Sequence, residues 1–274
     1  MISFPNCKIN LGLNVLAKRS DGYHDLQTIF FPVPIEDVLE ITQVENKSSF
    51  ITTGLTIEGT AESNLCLKAY DLLKTKFDLP PVQIHLHKVI PTGAGLGGGS
   101  SDAAFTLKLL NDKFNLGLGI NELLDLAALL GSDCPFFILN SPCYASGRGD
   151  ILQPTLLSQL GHLFGVIVTP SLHISTAWAF QQIIPRATIE PLQMIIAQPI
   201  ANWKLQLTND FEQPVFQLYP ELKAIKEQLY KAGAVYASLT GSGSALYGLF
   251  EHLPAVQFPS TYFVKTFMLD QAAS

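Results

Sequence analysis

A glycine-rich run that ends in two serines is the part of the sequence best suited to bind an anion. The run consists of Pro91, Thr92, Gly93, Ala94, Gly95, Leu96, Gly97, Gly98, Gly99, Ser100 and Ser101. Because glycine has no Cβ atom, its backbone can approach a ligand closely and can adopt positive φ angles. A helix that begins at the end of such a run adds unpaired N–H groups and the positive end of its dipole. The pattern therefore predicts a loop that binds phosphate groups, although most glycine clusters are only flexible surface loops.

The segments on either side of this glycine-rich loop favour phosphate binding. Residues 82–88 alternate between apolar and polar, as a half-buried strand does. Beyond the loop, apolar side chains recur at helical spacing, namely Ala103, Ala104, Leu107, Leu110 and Phe114. We expect Ser100, Ser101 or Asp102 to cap the N-terminus of this helix. The loop lacks the Gly-Lys-Ser/Thr sequence of P-loop ATPases and the downstream acidic residue that a dinucleotide-binding fold needs.

Two charged residues could take part in catalysis, but each has a simpler structural interpretation. Asp133 lies two residues before Pro135, at the start of a predicted helical turn, where local N–H groups would orient its carboxylate. An Asp at such a place is more often a helix cap than a base. Lys8 lies in a segment that otherwise alternates as an apolar strand, where a lysine is usually an edge or surface residue. The residues alone leave these alternatives open.

Composition and charge exclude several classes of function. The chain has 274 residues and a net charge of −6 without a basic block, so we expect no nucleic-acid partner. It has no run of about 18 uncharged apolar residues, so we expect no membrane partner, and polar residues within positions 1–16 argue against a signal peptide. The four cysteines, Cys7, Cys66, Cys134 and Cys143, lack metal-binding spacing and are expected to be buried and reduced. We expect a cytoplasmic protein that is a monomer or a weak homodimer.

Strands and helices alternate along the chain without a regular βαβ series, which favours an α+β fold. Strands are predicted at 9–15, 38–44, 82–88, 143–145, 150–152, 163–168, 235–239, 245–250 and 261–267. Helices are predicted at 64–77, after the glycine-rich loop, and at 122–130, 175–183, 211–218 and 220–232. The helix at 122–130 should begin at the N-cap Asn121 and end at Gly131. Residues 154–159 connect the two halves, so we expect domains at 1–157 and 158–274.

Three separated segments of the chain resemble one family of enzymes. The glycine-rich loop matches the form Pro-x-Gly-x-Gly-Leu-Gly-x-x-Ser-Ser. This is the phosphate loop of the galactokinase, homoserine kinase, mevalonate kinase and phosphomevalonate kinase superfamily, the GHMP kinases. Residues 5–11 and 239–245 match two further segments of that family in the same order. GHMP kinases have two α+β domains with the active site in the cleft between them, so the resemblance implies an α+β, two-domain GHMP kinase fold.

Three further signatures resemble one branch of the superfamily. They are residues 19–24, Gly97-Gly98-Gly99 and residues 131–137. Members of this branch use ATP to phosphorylate the 2-hydroxyl of a cytidine-diphosphate-linked methylerythritol on the non-mevalonate route to isoprenoid precursors. The resemblance therefore implies ATP-dependent kinase activity on that small molecule. The alternatives are a GHMP kinase that acts on homoserine, mevalonate or a sugar, and an inactive GHMP-fold protein that only binds a ligand.

The resemblance also implies roles in catalysis and in ATP binding. Asp133 matches the catalytic Asp of the family and is assigned as the base for the acceptor hydroxyl, with Lys8 as its electrostatic partner. Asn10 lies on the same side of the strand as Lys8 and is expected to hydrogen-bond the substrate. The glycine-rich loop would bind the ATP phosphates together with Mg²⁺. Ser100, Ser101 and Asp133 are possible ligands of that ion, and several members of the superfamily use a Glu from another loop instead.

A second set of residues is assigned to the substrate by the resemblance. The set consists of Asn10, Tyr23, His24, Thr176, Phe180, Thr240, Gly241 and Ser242. Tyr23 and Phe180 would stack on the cytosine ring, while His24 would read its edge. Core packing is the alternative for Phe180. Residues 240–242 would approach the diphosphate through backbone amides, and residues 209–212, which also resemble a family segment, are better interpreted as helix capping.

Overall fold

The computed structural model describes residues 1–57, 63–186 and 190–269. Contacts between residues divide the chain into two units, and neither unit is one continuous stretch. The first unit consists of Met1–Cys7, Ile35–Thr92 and Gly97–Asn140, and the second of Lys8–Pro34, Gly93–Leu96 and Ser141–Ser274. The domain boundaries 1–157 and 158–274 stay a prediction, and parts of the second range, 187–189 and 270–274, lie outside the described residues.

The described elements, in chain order, account for most of the predicted strands and helices. The strands are β1 (Ile2–Ser3), β2 (Asn6–Lys18), β3 (His24–Glu36), β4 (Val38–Gln43), β5 (Ser49–Gly54), β6 (Val82–Lys88), β7 (Cys143–Ser146), β8 (Ile151–Pro154), β9 (Phe164–Thr169), β10 (Tyr236–Leu239), β11 (Leu246–Phe250) and β12 (Phe263–Met268). The helices are α1 (Leu65–Lys74), α2 (Gly98–Phe114), α3 (Ile120–Leu130), α4 (Cys134–Leu139), α5 (Thr176–Gln181), α6 (Leu192–Ile196), α7 (Ile200–Gln206), α8 (Glu212–Leu218) and α9 (Pro220–Lys231).

The first unit is built around a four-stranded sheet with the strand order β1-β4-β6-β5. β5 pairs with β6 in parallel, while the other neighbours are antiparallel. Val82, Ile84 and Leu86 of β6 are buried, as the alternation in the sequence predicts. α2 packs against α1 and β4, and its residues Ala103 and Leu107 are buried. The sheet therefore supports the helix that begins at the end of the glycine-rich loop.

The N-terminus of α2 differs from the prediction. The helix begins at Gly98, and its N-cap is Gly97, whose φ of 72° is one that glycine adopts readily. Ser100, Ser101 and Asp102 lie inside the first turns, so the expectation that one of them caps the helix is wrong. The cap preference of Ser and Asp is a local effect, and here the backbone conformation of the loop outweighs it.

The structure also places the N-cap of α3 two residues before the predicted one. Its N-cap is Gly119, whose N–H donates to Glu122 Oε2 at 2.8 Å. This contact lets the helix begin at Ile120, so Asn121 lies inside it and is not the cap. The helix ends before Gly131, as predicted.

The second unit contains two four-stranded sheets, ordered β2-β3-β7-β8 and β10-β11-β9-β12. β7 pairs antiparallel with β3 and with β8, and the pairs in the other sheet are antiparallel too. Leu222, Ile225 and Leu229 of α9 share one hydrophobic cluster with Val166 and Leu246 of the second sheet. Antiparallel sheets covered by separate helices confirm the α+β class.

Two helices of the second unit were not predicted. α6 and α7 have five and seven residues, which is too short for helical periodicity to stand out in the sequence. β3 was not delimited either, because it contains Pro32 and Pro34, which usually argue against a strand. Within the described residues, no helix combines the length and the apolar character needed to cross a bilayer.

Candidate functional site

The three consecutive glycines around the N-terminus of α2 have different surroundings. Gly97 has a left-handed backbone that residues with a Cβ rarely adopt. A Cβ on Gly98 would lie 3.0 Å from Lys88 Nζ and 3.0 Å from Ile90 Cγ2. Beyond its chain neighbours and its own helical turn, no atom of the described residues lies within 4 Å of a Cβ added to Gly99. The space beside Gly99 in the first turn of α2 is therefore open within the described residues, and a helix N-terminus is where proteins commonly bind anions.

A cavity of about 150 Å³ adjoins this part of the glycine-rich loop. It is lined by Ile57, Ser63, Asn64, Leu65, Cys66, Lys88, Thr92, Gly99 and Asp102. Ile57, Leu65 and Cys66 give it an apolar wall, and Thr92 and Gly99 belong to the loop. The combination of apolar wall and a few polar groups is typical of a site for a small organic ligand.

Lys88, Asp37 and Asp102 form a buried ion cluster in the first unit. Lys88 Nζ donates to Asp102 Oδ2 at 2.7 Å and also to Asp37 Oδ2. Asp37 Oδ1 accepts from the N–H groups of Val89 and Ile90, at 2.5 and 2.9 Å. The cluster therefore joins the residues just before the glycine-rich loop to the first turns of the helix just after it.

Burial governs the ionisation of this cluster. It raises the pKa of Asp102 to about 7, although the charge of Lys88 acts in the opposite direction. Desolvation alone would lower the pKa of Lys88, but the charges of Asp102 and Asp37 outweigh it and leave that pKa raised. Sequence reasoning missed the cluster. Its signal was that Lys88 falls on the inward-facing positions of the alternating strand 82–88.

Asp133 occupies the N-cap position of α4, but its side chain makes no capping hydrogen bond within this described helix. The structure therefore contradicts the helix-cap interpretation. The next residue, Cys134, lies near the Ser100 side chain, which lowers the pKa of its thiol, so Asp133 lies close to the first turn of α2. Burial raises the pKa of the Cys134 thiol to about 12, so this cysteine does not supply a nucleophile.

The residues Gly93–Leu96 of the glycine-rich loop belong to the second unit, where backbone contacts fix them. Leu96 O accepts from the N–H of Lys8 at 2.9 Å. Gly95 has a φ of 80°, and an added Cβ would lie 2.1 Å from the carbonyl oxygen of Thr240. The loop is thus hydrogen-bonded to β2. At Gly95 it lies so close to the turn before β11 that a residue with a Cβ atom would not fit.

Gly95→Ala should displace this segment of the loop. The methyl group would overlap backbone that cannot rotate away, and the left-handed φ adds a cost of about 1–2 kcal/mol. We expect the dissociation constant for a nucleoside triphosphate to rise by about tenfold, which corresponds to about 1.4 kcal/mol. Calorimetric titration measures it. Gly119→Ala is the control, because there an added Cβ meets its nearest atom at 3.6 Å and φ is −77°; equal affinities for the two variants would contradict the prediction.

Lys8 is buried, with 3% of its surface exposed, so the edge or surface interpretation is wrong. Its ammonium lies 5.0 Å from the centre of the Phe30 ring, within the range of a cation–π contact. Lys8 is therefore a buried cation whose backbone N–H is bonded to Leu96 of the glycine-rich loop.

Asn10 is the hydrogen-bond partner that holds this lysine. Lys8 Nζ donates to Asn10 Oδ1 at 2.6 Å, and the two side chains lie on the same side of β2, as predicted. Oδ1 also accepts from Thr240 Oγ1 and from the Gly241 N–H, at 3.2 and 2.9 Å, while Nδ2 donates to Thr28 Oγ1 at 2.9 Å. Asn10 is 2% exposed and holds the ammonium of Lys8, and its expected hydrogen bond to the substrate stays a prediction.

Asn209 holds the turn that follows β10, a role that sequence reasoning missed. Its Nδ2 donates to the carbonyl oxygens of Leu239 and Gly241, both at 2.9 Å. Its Oδ1 accepts from the Phe211 N–H at 2.9 Å, but the N-cap of α8 is Phe211 and makes no side-chain capping hydrogen bond, so the predicted capping is not found. Because the Gly241 N–H is bonded to Asn10, it is not directed at a diphosphate as expected. The resemblance of residues 209–212 to a family segment was the available signal.

Four of the residues assigned to the substrate form two pairs in the second unit. The rings of His24 and Phe180 stack, with centroids 4.9 Å apart and an angle of 20° between their planes. Thr176 Oγ1 and Ser242 Oγ lie 3.2 Å apart. Burial lowers the pKa of His24, so its imidazole is neutral near pH 7 and offers one donor and one acceptor. Tyr23 is 54% exposed and presents its ring to solvent.

Two family models match the chain. Residues 64–141 match the model described as GHMP kinases N terminal domain, and this range includes α1, β6, the glycine-rich loop, α2 and Asp133. Residues 195–258 match the model described as GHMP kinases C terminal.

Similar proteins and structures carry related names. The chain is 50% identical over 272 residues to the 4-diphosphocytidyl-2-C-methyl-D-erythritol kinase of Bacteroides fragilis. That alignment covers 97% of this chain and 99% of the Bacteroides protein. The chain is 50% identical over 254 residues to the protein of the same name from Cytophaga hutchinsonii, with 93% of this chain and 94% of that one covered. It is also similar to the crystal structure of a 4-(cytidine 5'-diphospho)-2C-methyl-D-erythritol kinase, with a TM-score of 0.77 and 34% identity over 91% of this chain and 90% of that one.

Proposed function

The chain belongs to the GHMP kinases, and we propose that it transfers the γ-phosphoryl group of ATP to the 2-hydroxyl of 4-diphosphocytidyl-2-C-methyl-D-erythritol. The similarity to kinases of that substrate extends over nearly the whole chain. The observation that carries the proposal is the buried ammonium of Lys8. Its backbone is bonded to Leu96 of the glycine-rich loop, and its side chain is held by Asn10.

The first unit offers separate places for the phosphate groups and for the nucleoside of ATP. The open space beside Gly99 and the N-terminus of α2 suits the phosphate groups, because unpaired N–H groups and the helix dipole both favour anions there. The adjoining cavity, with its apolar wall of Ile57 and Leu65, suits the nucleoside. Phosphoryl transfer needs little covalent chemistry from the protein, so positioning and charge stabilisation are its main contributions.

Mg²⁺ is part of this proposal. Among the described residues, no group of three His, Cys, Asp or Glu side chains could hold a metal ion alone. This fits Mg²⁺ bound chiefly by ATP phosphates and water with one or two protein oxygens. The buried Ser101 Oγ has no hydrogen-bond partner in the described part of the chain, and it would be such an oxygen, as would Ser100 or Asp133. The ion would neutralise charge on the phosphate oxygens.

Asp133 and Lys8 have different tasks in the reaction. Asp133 takes the proton of the acceptor hydroxyl. Lys8 stabilises negative charge on the acceptor oxygen, and Asn10 fixes the position of its ammonium. Thr28 and Thr240 complete the hydrogen bonds of Asn10 and so keep that position fixed.

The cytidine group is assigned to Tyr23, His24 and Phe180. The neutral His24 can read the edge of cytosine with one donor and one acceptor. An aromatic ring that stacks on a base contributes about 1–3 kcal/mol, and the exposed ring of Tyr23 is open to such a contact. The Thr176–Ser242 hydroxyl pair is assigned to the substrate too. The cytoplasm is the proposed compartment, since the four cysteines are buried free thiols.

A coupled ADP-release assay with ATP and Mg²⁺ tests the proposed function. Separate reactions contain 4-diphosphocytidyl-2-C-methyl-D-erythritol, homoserine, mevalonate or galactose. We expect turnover with the cytidylyl substrate alone, because a kinase for the other acceptors has no use for Tyr23 and His24. Turnover with another acceptor would contradict the assignment of these two residues, and no turnover with any of the four would favour a binding protein without catalysis.

A further inference from the structure

Arg148 lies next to the exposed ring of Tyr23, although no motif used above includes it. Its guanidinium carbon is 5.0 Å from the centre of the Tyr23 ring. Arg148 belongs to the turn between β7 and β8, and glycines with positive φ flank it, Gly147 at 64° and Gly149 at 94°. A planar guanidinium at this distance makes a cation–π contact with the ring.

Asp150 holds the guanidinium in place. Arg148 Nε and Nη2 donate to Asp150 Oδ2 at 3.1 and 2.8 Å, and the Arg148 N–H donates to Oδ1 at 3.1 Å. The turn itself is attached to β3, because the Leu26 N–H donates to Gly147 O at 2.8 Å. Arg148 is therefore a fixed group and not a flexible surface side chain.

The backbone of Tyr23 is fixed as well, but its ring projects into solvent. The Tyr23 N–H donates to Asp21 Oδ1 at 3.1 Å, and Tyr23 O accepts from the Arg19 N–H at 2.9 Å. An exposed tyrosine on a fixed backbone can still rotate about its side-chain bonds, and binding a base to its ring would cost that freedom. A guanidinium on one face restricts the rotation and leaves the other face for a ligand.

We propose that Arg148 is a positioning residue that holds the Tyr23 ring in the orientation that stacks on the cytosine of the substrate. This inference rests on the proposed function. Arg148 acts through Tyr23 and does not touch the substrate itself. Its contribution should be that of a partly exposed cation–π contact, which corresponds to an about two- to fivefold effect on binding.

Arg148→Gln tests this role, since it keeps polar atoms but removes the charge and the planar fork. We expect the KM for the cytidylyl substrate to rise about two- to fivefold, while the KM for ATP and kcat stay unchanged. The dissociation constant of CDP, measured by calorimetry, should rise by the same factor. Asp150→Asn should shift both values in the same direction, because it releases the guanidinium. Arg186→Gln is the control, since the Arg186 side chain is 78% exposed.

A double variant distinguishes a role of Arg148 in positioning Tyr23 from a direct contact between Arg148 and the substrate. In Tyr23→Leu, adding Arg148→Gln should cause no further rise in KM or in the CDP dissociation constant, because Arg148 has lost the ring through which it acts. An equal rise in that background would overturn the inference, since it would mean that Arg148 contacts the substrate. An unchanged KM in Arg148→Gln alone, or losses shared with ATP, would also overturn it. A wild-type protein that does not turn over the cytidylyl substrate would instead show that the proposed function itself is wrong.

Discussion

Asp133→Asn is expected to lower kcat by about 10²–10⁴-fold and to leave the dissociation constant for ATP nearly unchanged. Asparagine has the same shape as aspartate, but it cannot take the proton of the acceptor hydroxyl. Because Asp133 makes no capping hydrogen bond in the described helix α4, losing its charge should not weaken that helix. Pre-steady-state ADP release gives the rate of the chemical step, and calorimetric titration gives the affinity for ATP.

The control for this substitution is Asp125→Asn, which makes the same change on the exposed face of α3. Its kcat should equal that of the wild type. If Asp133→Asn kept near-normal turnover, the assignment of Asp133 as the base would be wrong. If it instead lost both turnover and several degrees of melting temperature, Asp133 would be a structural residue.

The parts of the site that could be predicted are formed by residues that lie close together in the sequence. The alternation of β6, the glycine-rich loop and the apolar face of α2 follow one another without interruption, so each supports the interpretation of the next. The pairing of Lys8 with Asn10 was predictable for the same reason, because residues two apart on a strand share a side.

The parts that could not be predicted depend on contacts between distant residues. Lys88 and Asp37 are separated by 51 positions, and Asn10 and Thr240 by 230. The Oδ1 atom of Asn10 accepts from Lys8, Thr240 and Gly241, and its polarity alone did not indicate these partners. A buried polar group must find hydrogen-bond partners, but the fold decides which ones.

The buried cluster of Lys88, Asp37 and Asp102 leads to the second large effect. Lys88→Met should lower the free energy of unfolding by about 3–5 kcal/mol, because it leaves two buried carboxylates without their cation. Urea denaturation measures this difference. Lys76→Met, at an exposed position after α1, is the control and should change the value by less than about 0.5 kcal/mol.

The pH dependence of this loss identifies its cause. Burial already raises the pKa of Asp102 to about 7 with Lys88 present, and removing Lys88 should raise it further. The folded variant then binds protons that the unfolded chain, with aspartate pKa values near about 4, releases. Its stability should therefore fall as the pH rises from about 5 to about 8, and the deficit relative to the wild type should be larger at the higher pH. Adding Asp102→Asn should recover part of that deficit at about pH 8, because one of the two unpaired charges is gone. A deficit that did not change with pH would mean that lost packing of the lysine stem, and not unpaired charge, weakens the residues on either side of the glycine-rich loop.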